Sequence, residues 1–156
     1  MFLWFVGTAV LTVWFVFRDA SFDYRLLIVG ALLPLADALT GGPGVLHTLV
    51  FSLALMVVVM LSTVGRRPVR KLLLGLPIGT MLHLVFDGAW ATTELFWWPL
   101  GGWSFDEMRL PEASRGWLNV LFELAGAVMV AWIWRRSKLS DPVARRAFVR
   151  DGRLLT

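Results

Sequence analysis

The sequence predicts an all-α fold: a polytopic membrane helix bundle of about five transmembrane helices, with the N-terminus out and the C-terminus in. Three observations carry that expectation. Hydrophobic residues make up 58% of 156, mean hydropathy is +0.71 and only 17% of residues are charged, a composition too apolar for a soluble domain of this size. The apolar residues gather in five runs that reach, or nearly reach, the length needed to cross ~30 Å of hydrocarbon at ~1.5 Å per residue. The basic residues are split as a membrane topology requires, with 13 of the 15 Lys and Arg in inner segments and only Arg109 and Arg115 in one long outer segment.

The first run, residues 2–17, has no basic residue before it and no small-x-small cleavage pattern after it, so an uncleaved first helix is expected. Arg18 behind it favours an outside N-terminus. Ser21 is a candidate cap for the second span, residues 22–39, in which Pro34 should kink the helix and free the carbonyl of Gly30. Asp37 then lies near the outer end. Gly41-Gly42-Pro43-Gly44 cannot continue a helix, and residues 45–64 form the third span with His47 in its first turn. Arg66, Arg67, Arg70 and Lys71 make an inner loop before the fourth span, residues 72–90.

Residues 91–115 form the outer segment. Trp97, Trp98 and Trp103, with Trp90 and Trp117, suit an interfacial aromatic belt, and the Pro and Gly residues there suggest an ordered lid or re-entrant loop. The last span is residues 116–134. Residues 1–138 are thus a transmembrane domain and 139–156 a basic cytoplasmic tail, with Ser140 as cap and Pro142 near a helix start. Its basic residues read first as topology anchors and second as contacts for an anionic inner leaflet.

The fourth span also carries chemistry. Gly75, Gly79, His83 and Asp87 recur every four residues, so the face that admits a close neighbour also presents an imidazole and a carboxylate. A His and an Asp one turn apart in a membrane segment suit a divalent metal, a proton relay or a plain ion pair. With no Cys in the chain, His and carboxylates are the strong ligand set available. The topology, read from Lys and Arg alone, brings Asp37, His47, His83 and Asp87 to the outer side, and the chain's two His both fall there. One divalent ion, zinc or manganese, fits such a set, with a structural ion cluster as the alternative. The basic charge finds its place in topology, so nucleic acid is not expected as a partner; membrane lipids are.

The last span has its own stripe of Asn119, Glu123, Ala127 and Ala131. If it is an antiparallel neighbour of the fourth span, Glu123 lies level with His83, ~10 Å into the membrane. There it would serve as a further ligand or as the base for a water, with a structural ion pair or a protonated Glu held by Asn119 as the alternatives.

Four pieces in order, Leu33-Pro34-Leu35-Ala36-Asp37, Gly44-Val45-Leu46-His47-Thr48, His83-Leu84-Val85-Phe86-Asp87 and Trp98-Pro99-Leu100, resemble the YdjM-type family of membrane-bound metal-dependent hydrolases. That family shows Pro-Asp-x-Asp, His-Arg-Gly-x-Thr-His-Ser, His-x-x-x-Asp and Trp-Pro-Phe elements and is distantly similar to zinc-dependent phospholipases C. Leu35 stands at the first Asp of the first motif, and Gly42 and Pro43 stand at the His-Arg pair. The resemblance therefore implies either one metal rather than a cluster, held by Asp37, His47, His83 and Asp87, or a fold kept without the metal. Asp87 and Glu123 are the expected catalytic carboxylates, and Thr48 and Asn119 lie behind the ligands. The expected function is hydrolysis of a lipid or lipid-linked phosphoester near the outer leaflet of the cell (inner) membrane. The alternative is a non-enzymatic binding, assembly or transport-accessory protein with a degenerate metal site.

Overall fold

A computed structural model describes residues 1–17, 22–40, 42, 44–100, 102–103 and 115–154. Among these residues all regular structure is helical. In chain order the α-helices are α1 (Phe2–Phe17), α2 (Tyr24–Leu32), α3 (Leu49–Ser62), α4 (Arg67–Leu73), α5 (Gly75–Asp87), α6 (Thr93–Phe96), α7 (Leu118–Arg136) and α8 (Pro142–Asp151). Short 3-10 segments cover Leu33–Thr40, Val45–His47 and Ala89–Ala91.

Two helices among the described residues are long and apolar enough to cross a membrane: Arg67–Asp87, which joins α4 and α5, and α7. The other three expected spans are shorter helices. Pro34 ends α2 by withholding the donor that an α-helix needs, and the chain tightens into the 3-10 segment Leu33–Thr40. The carbonyl of Gly30 is not left open as expected, because the amide of Leu33 bonds to it. The third run begins as the 3-10 turn Val45–His47, and α3 starts only after Thr48, whose hydroxyl accepts from the amide of Phe51 at 3.1 Å. The central helix starts five residues earlier than residue 72, with Pro68 in its first turn. It stops at Asp87 because Gly88 is left-handed, φ +67°, and its amide caps the carbonyls of Leu84 and Val85.

Two expected caps differ. Asp23, not Ser21, caps α2 by accepting from the amide of Arg25, and Asp141, not Ser140, caps α8 by accepting from Val143; Ser21 itself lies outside the described residues. Carboxylates suit the positive end of a helix better than a hydroxyl does. Ser140 instead accepts from the indole of Trp134 at 3.0 Å.

α2 and α5 form the tightest pair in the bundle. A methyl group on Gly79 would collide with the carbonyl of Leu27, one on Gly30 with the carbonyl of Leu76, and one on Gly75 would lie 2.8 Å from the amide of Leu27. The glycine stripe is thus a backbone-to-backbone contact, as small residues allow between helices. α3 packs on α5, and α1 packs on both α2 and α5. The other side of α1 takes α7, where Gly126 meets the backbone of Leu3 and Trp4. Around this arrangement one apolar core forms from Ala9, Val10 and Val13 of α1, Leu27 and Ala31 of α2 and Ile133 of α7. Phe22, Tyr24, Leu139 and Leu154 join it. The segment after residue 138 is therefore packed into the body through Leu139 and Leu154.

Candidate metal centre

The stripe on α5 continues past its glycines to His83 and Asp87, both buried. Gly79 brings α2 close enough for His83 Nδ1 to reach the carbonyl of Ala31 at 2.7 Å. A carbonyl only accepts, so Nδ1 carries the hydrogen and Nε2 keeps its lone pair. Phe5 of α1 stacks on the imidazole at 3.9 Å between ring centres and closes the site from that side.

His47 reaches the same place from the 3-10 turn before α3. Asp37 fixes that turn, since its Oδ2 accepts from the amides of Gly44 and His47, each at 3.1 Å, and lies 2.9 Å from His47 Nδ1. Gly44 is required here, because a Cβ would stand 2.7 Å from Asp37 Oδ1. The neighbouring Thr48 holds the turn from the other end, donating to the carbonyl of Val45 at 2.7 Å. The two imidazoles meet edge to face with centres 5.3 Å apart. Both Nε2 atoms are buried and without a hydrogen-bond partner, which for buried polar atoms calls for an explanation.

Asp87 completes the set. One ligand atom from each of His47, His83 and Asp87 lies within 4.8 Å of the others, and the three residues can hold a metal ion. First-row divalent ions bind such nitrogens and oxygens at roughly 2.0–2.2 Å, which puts ligands about 3.4 Å apart. Each of the three candidate ligands has an outer partner: Asp37 behind His47, the Ala31 carbonyl behind His83 and Arg115 behind Asp87. Such partners fix the ring and carboxylate orientations in metal sites.

In the sequence Arg115 reads only as an outer charge. Its Nη1 donates to Asp87 Oδ1 at 3.0 Å and its Nη2 to the backbone carbonyl of Asp87. Its place immediately outside the last span, level with Asp87 at the outer end of α5, was the signal available.

Of the expected site residues, His47, His83 and Asp87 come together and Asp37 stands one step behind them. Asn119 and Glu123 are elsewhere. Both oxygens of Glu123 accept from the amide of Leu3 at 3.2 Å, and with Asn119, Met1 and Leu124 it lines a surface cavity between α1 and α7. The first amides of α1 lack helical acceptors and attract an anion. A station beside His83 would need α7 to adjoin α5, whereas α7 packs on α1. No protein family, curated protein or solved structure matches the chain.

Proposed function

We propose that the protein is an integral-membrane, metal-dependent hydrolase of the YdjM type, acting on a lipid or lipid-linked phosphoester near the outer leaflet of the cell membrane. The observation that carries the reading is the pair of buried imidazoles, each with Nδ1 engaged and Nε2 left without a partner, beside the buried carboxylate of Asp87. A membrane setting is supported by α7, an apolar 19-residue helix of which only 11% of the spanning window is buried. Val120, Leu124 and Val128 are each about 60–70% exposed on it, a pattern suited to lipid and costly in water.

In this reading His47, His83 and Asp87 hold one divalent ion, zinc or manganese. Such an ion supplies a Lewis acid for a phosphoryl oxygen and an acidified water at neutral pH. Asp37 and the Ala31 carbonyl keep the rings aimed. Asp87 would be the carboxylate that accepts the proton of the attacking water. Arg115, whose side chain is 19% exposed beside the buried cluster, supplies positive charge where a phosphate group approaches.

The test is elemental analysis of the purified protein, wild type beside His83→Ala and His47→Ala. Close to one equivalent of metal in the wild type and none in either variant is expected. A metal-free wild type that cannot be loaded sinks the hydrolase reading. A second reading, a non-enzymatic binding, assembly or transport-accessory protein, is favoured by the Arg115–Asp87 ion pair, which balances the carboxylate's charge within the chain. It predicts that Arg115→Gln lowers the Tm and that divalent ions do not restore it. Under the metal reading a saturating ion stabilises the same variant by about 3 kcal/mol at 100 times Kd.

A further inference from the structure

We infer that α8 is a binding surface for anionic phospholipid headgroups at the membrane face where α7 ends. The inference rests on the membrane setting proposed above and not on the metal. Nineteen residues carry α7 through ~28 Å, and α8 begins six residues after its last residue, Arg136. It therefore starts at the membrane surface.

The helix is held in one orientation. Ala144 is 2% exposed, and Phe148 packs against the core that contains Leu139 and Leu154. Arg25 of α2 grips the far end, donating through Nη1 to the carbonyls of Val149 at 2.7 Å and Arg150 at 3.0 Å, while Asp23 holds the guanidinium from behind at 2.5 Å. The amide of Tyr24 donates to the carbonyl of Gly152 at 2.9 Å. Gly152 is left-handed, φ +69°, and any Cβ there would collide with the Asp23 carboxylate.

With Ala144 and Phe148 turned inward, a rotation of ~100° per residue puts Arg145, Val149, Arg146, Arg150 and Val143 in one outward arc. Val143 and Val149 are 69% and 66% exposed. Arg145, Arg146, Val149 and Arg150 line a single shallow cavity. Arg150 also reaches Asp151 at 3.4 Å, in a contact open to water that holds it weakly. Guanidinium groups take phosphate oxygens in a fork, and valines between them suit the glycerol and upper acyl region that lies just beneath. A nucleic acid would use the arginines and leave the valines in water. The mixture fits a lipid.

Full-length protein in mixed micelles of phosphatidylglycerol and phosphatidylcholine is freed of excess lipid, and retained lipid is quantified by mass spectrometry. Phosphatidylglycerol should be retained over phosphatidylcholine. Each of Arg145→Gln, Arg146→Gln and Arg150→Gln should weaken that retention about fivefold, and the triple variant on the order of 10²-fold. The triple Lys variant keeps the charge and should retain most of the lipid, and Arg66→Gln with Arg67→Gln, off this arc, should change nothing. A triple Gln variant of unchanged Tm that keeps wild-type phosphatidylglycerol overturns the inference, as does equal loss from the Arg66, Arg67 control. An oligonucleotide that displaces the lipid from the wild type at matched salt also overturns it. Carbonate extraction of the same membranes tests the setting separately: extracted protein defeats the membrane reading, and inserted protein without lipid preference defeats only this one.

Discussion

At the scale of single residues, Asp37 sets the arrangement around His47. Asp37 accepts three hydrogens through one oxygen, two from backbone amides and one from the ring, so it sets both the turn and the tautomer. Asp37→Asn should therefore lower metal affinity by about 10–100-fold without removing a ligand, measured by chelator competition. Unchanged affinity would show that the turn alone aims His47. His47, His83 and Asp87 were legible in the sequence because only two His exist and an independent signal, the Lys and Arg count, put both on one side. The different stations of Asp37 and Glu123 were not legible. Spacing along a helix gives depth and face, but which helix lies against that face depends on packing. A carboxylate at the right depth was captured by the nearest unsatisfied amide, that of Leu3.

At the scale of elements, the glycines of α5 and α2 set the distance on which the His83–Ala31 bond depends. Gly79→Ala inserts a methyl against the Leu27 carbonyl and should cost about 1–3 kcal/mol, the usual range for overpacking, and lower metal affinity too. Val85→Ala, at a position 49% exposed, should stay within about 0.5 kcal/mol. Thermal melts in detergent compare the two, and equal Tm values would remove the glycine contact from the account. The stripe itself was legible from a period of four. The interruption at Pro34 was legible in kind; the stop at Gly88, inside a span expected to run to residue 90, was not, and neither was the eight-residue 3-10 segment Leu33–Thr40. It persists because Asp37 within it is tied to the following turn by Gly44 and His47, a contact between residues seven to ten apart.

At the scale of the whole molecule, the asymmetry of the basic residues is the strongest statement about orientation. Trp103 is 80% exposed, and a Cys placed there in this Cys-free chain should react with an impermeant maleimide in intact cells if residues 91–115 face outside. Labelling only after lysis would invert the topology and put the candidate metal centre on the cytoplasmic side. All-helical architecture was evident from apolar runs of this length. The order of neighbours was not, because the runs are similar in hydropathy and any of them could adjoin any other. Backbone contacts at Gly30, Gly79 and Gly126 choose among those orders.

The seating of Gly126 against Leu3 and Trp4 has a consequence for how the chain may be divided. α7 is joined to the rest of the bundle by α1, by Arg115 reaching Asp87 and, through α8, by Arg25. Those ties do not use the covalent path between Trp103 and Arg115. Residues 1–103 contain His47, His83 and Asp87, while residues 104–156 contain Arg115 and both final helices. Expressed as two polypeptides from one cell, the halves should find each other in the membrane and purify as a pair through a tag on either one. Gly126→Leu should separate them, and a pair that withstands that change would have to be held by something other than this seat. The larger half should bind metal by itself and regain full affinity when the smaller half returns Arg115 to Asp87, so the molecule would behave as a split protein whose complementation can be read as metal retained.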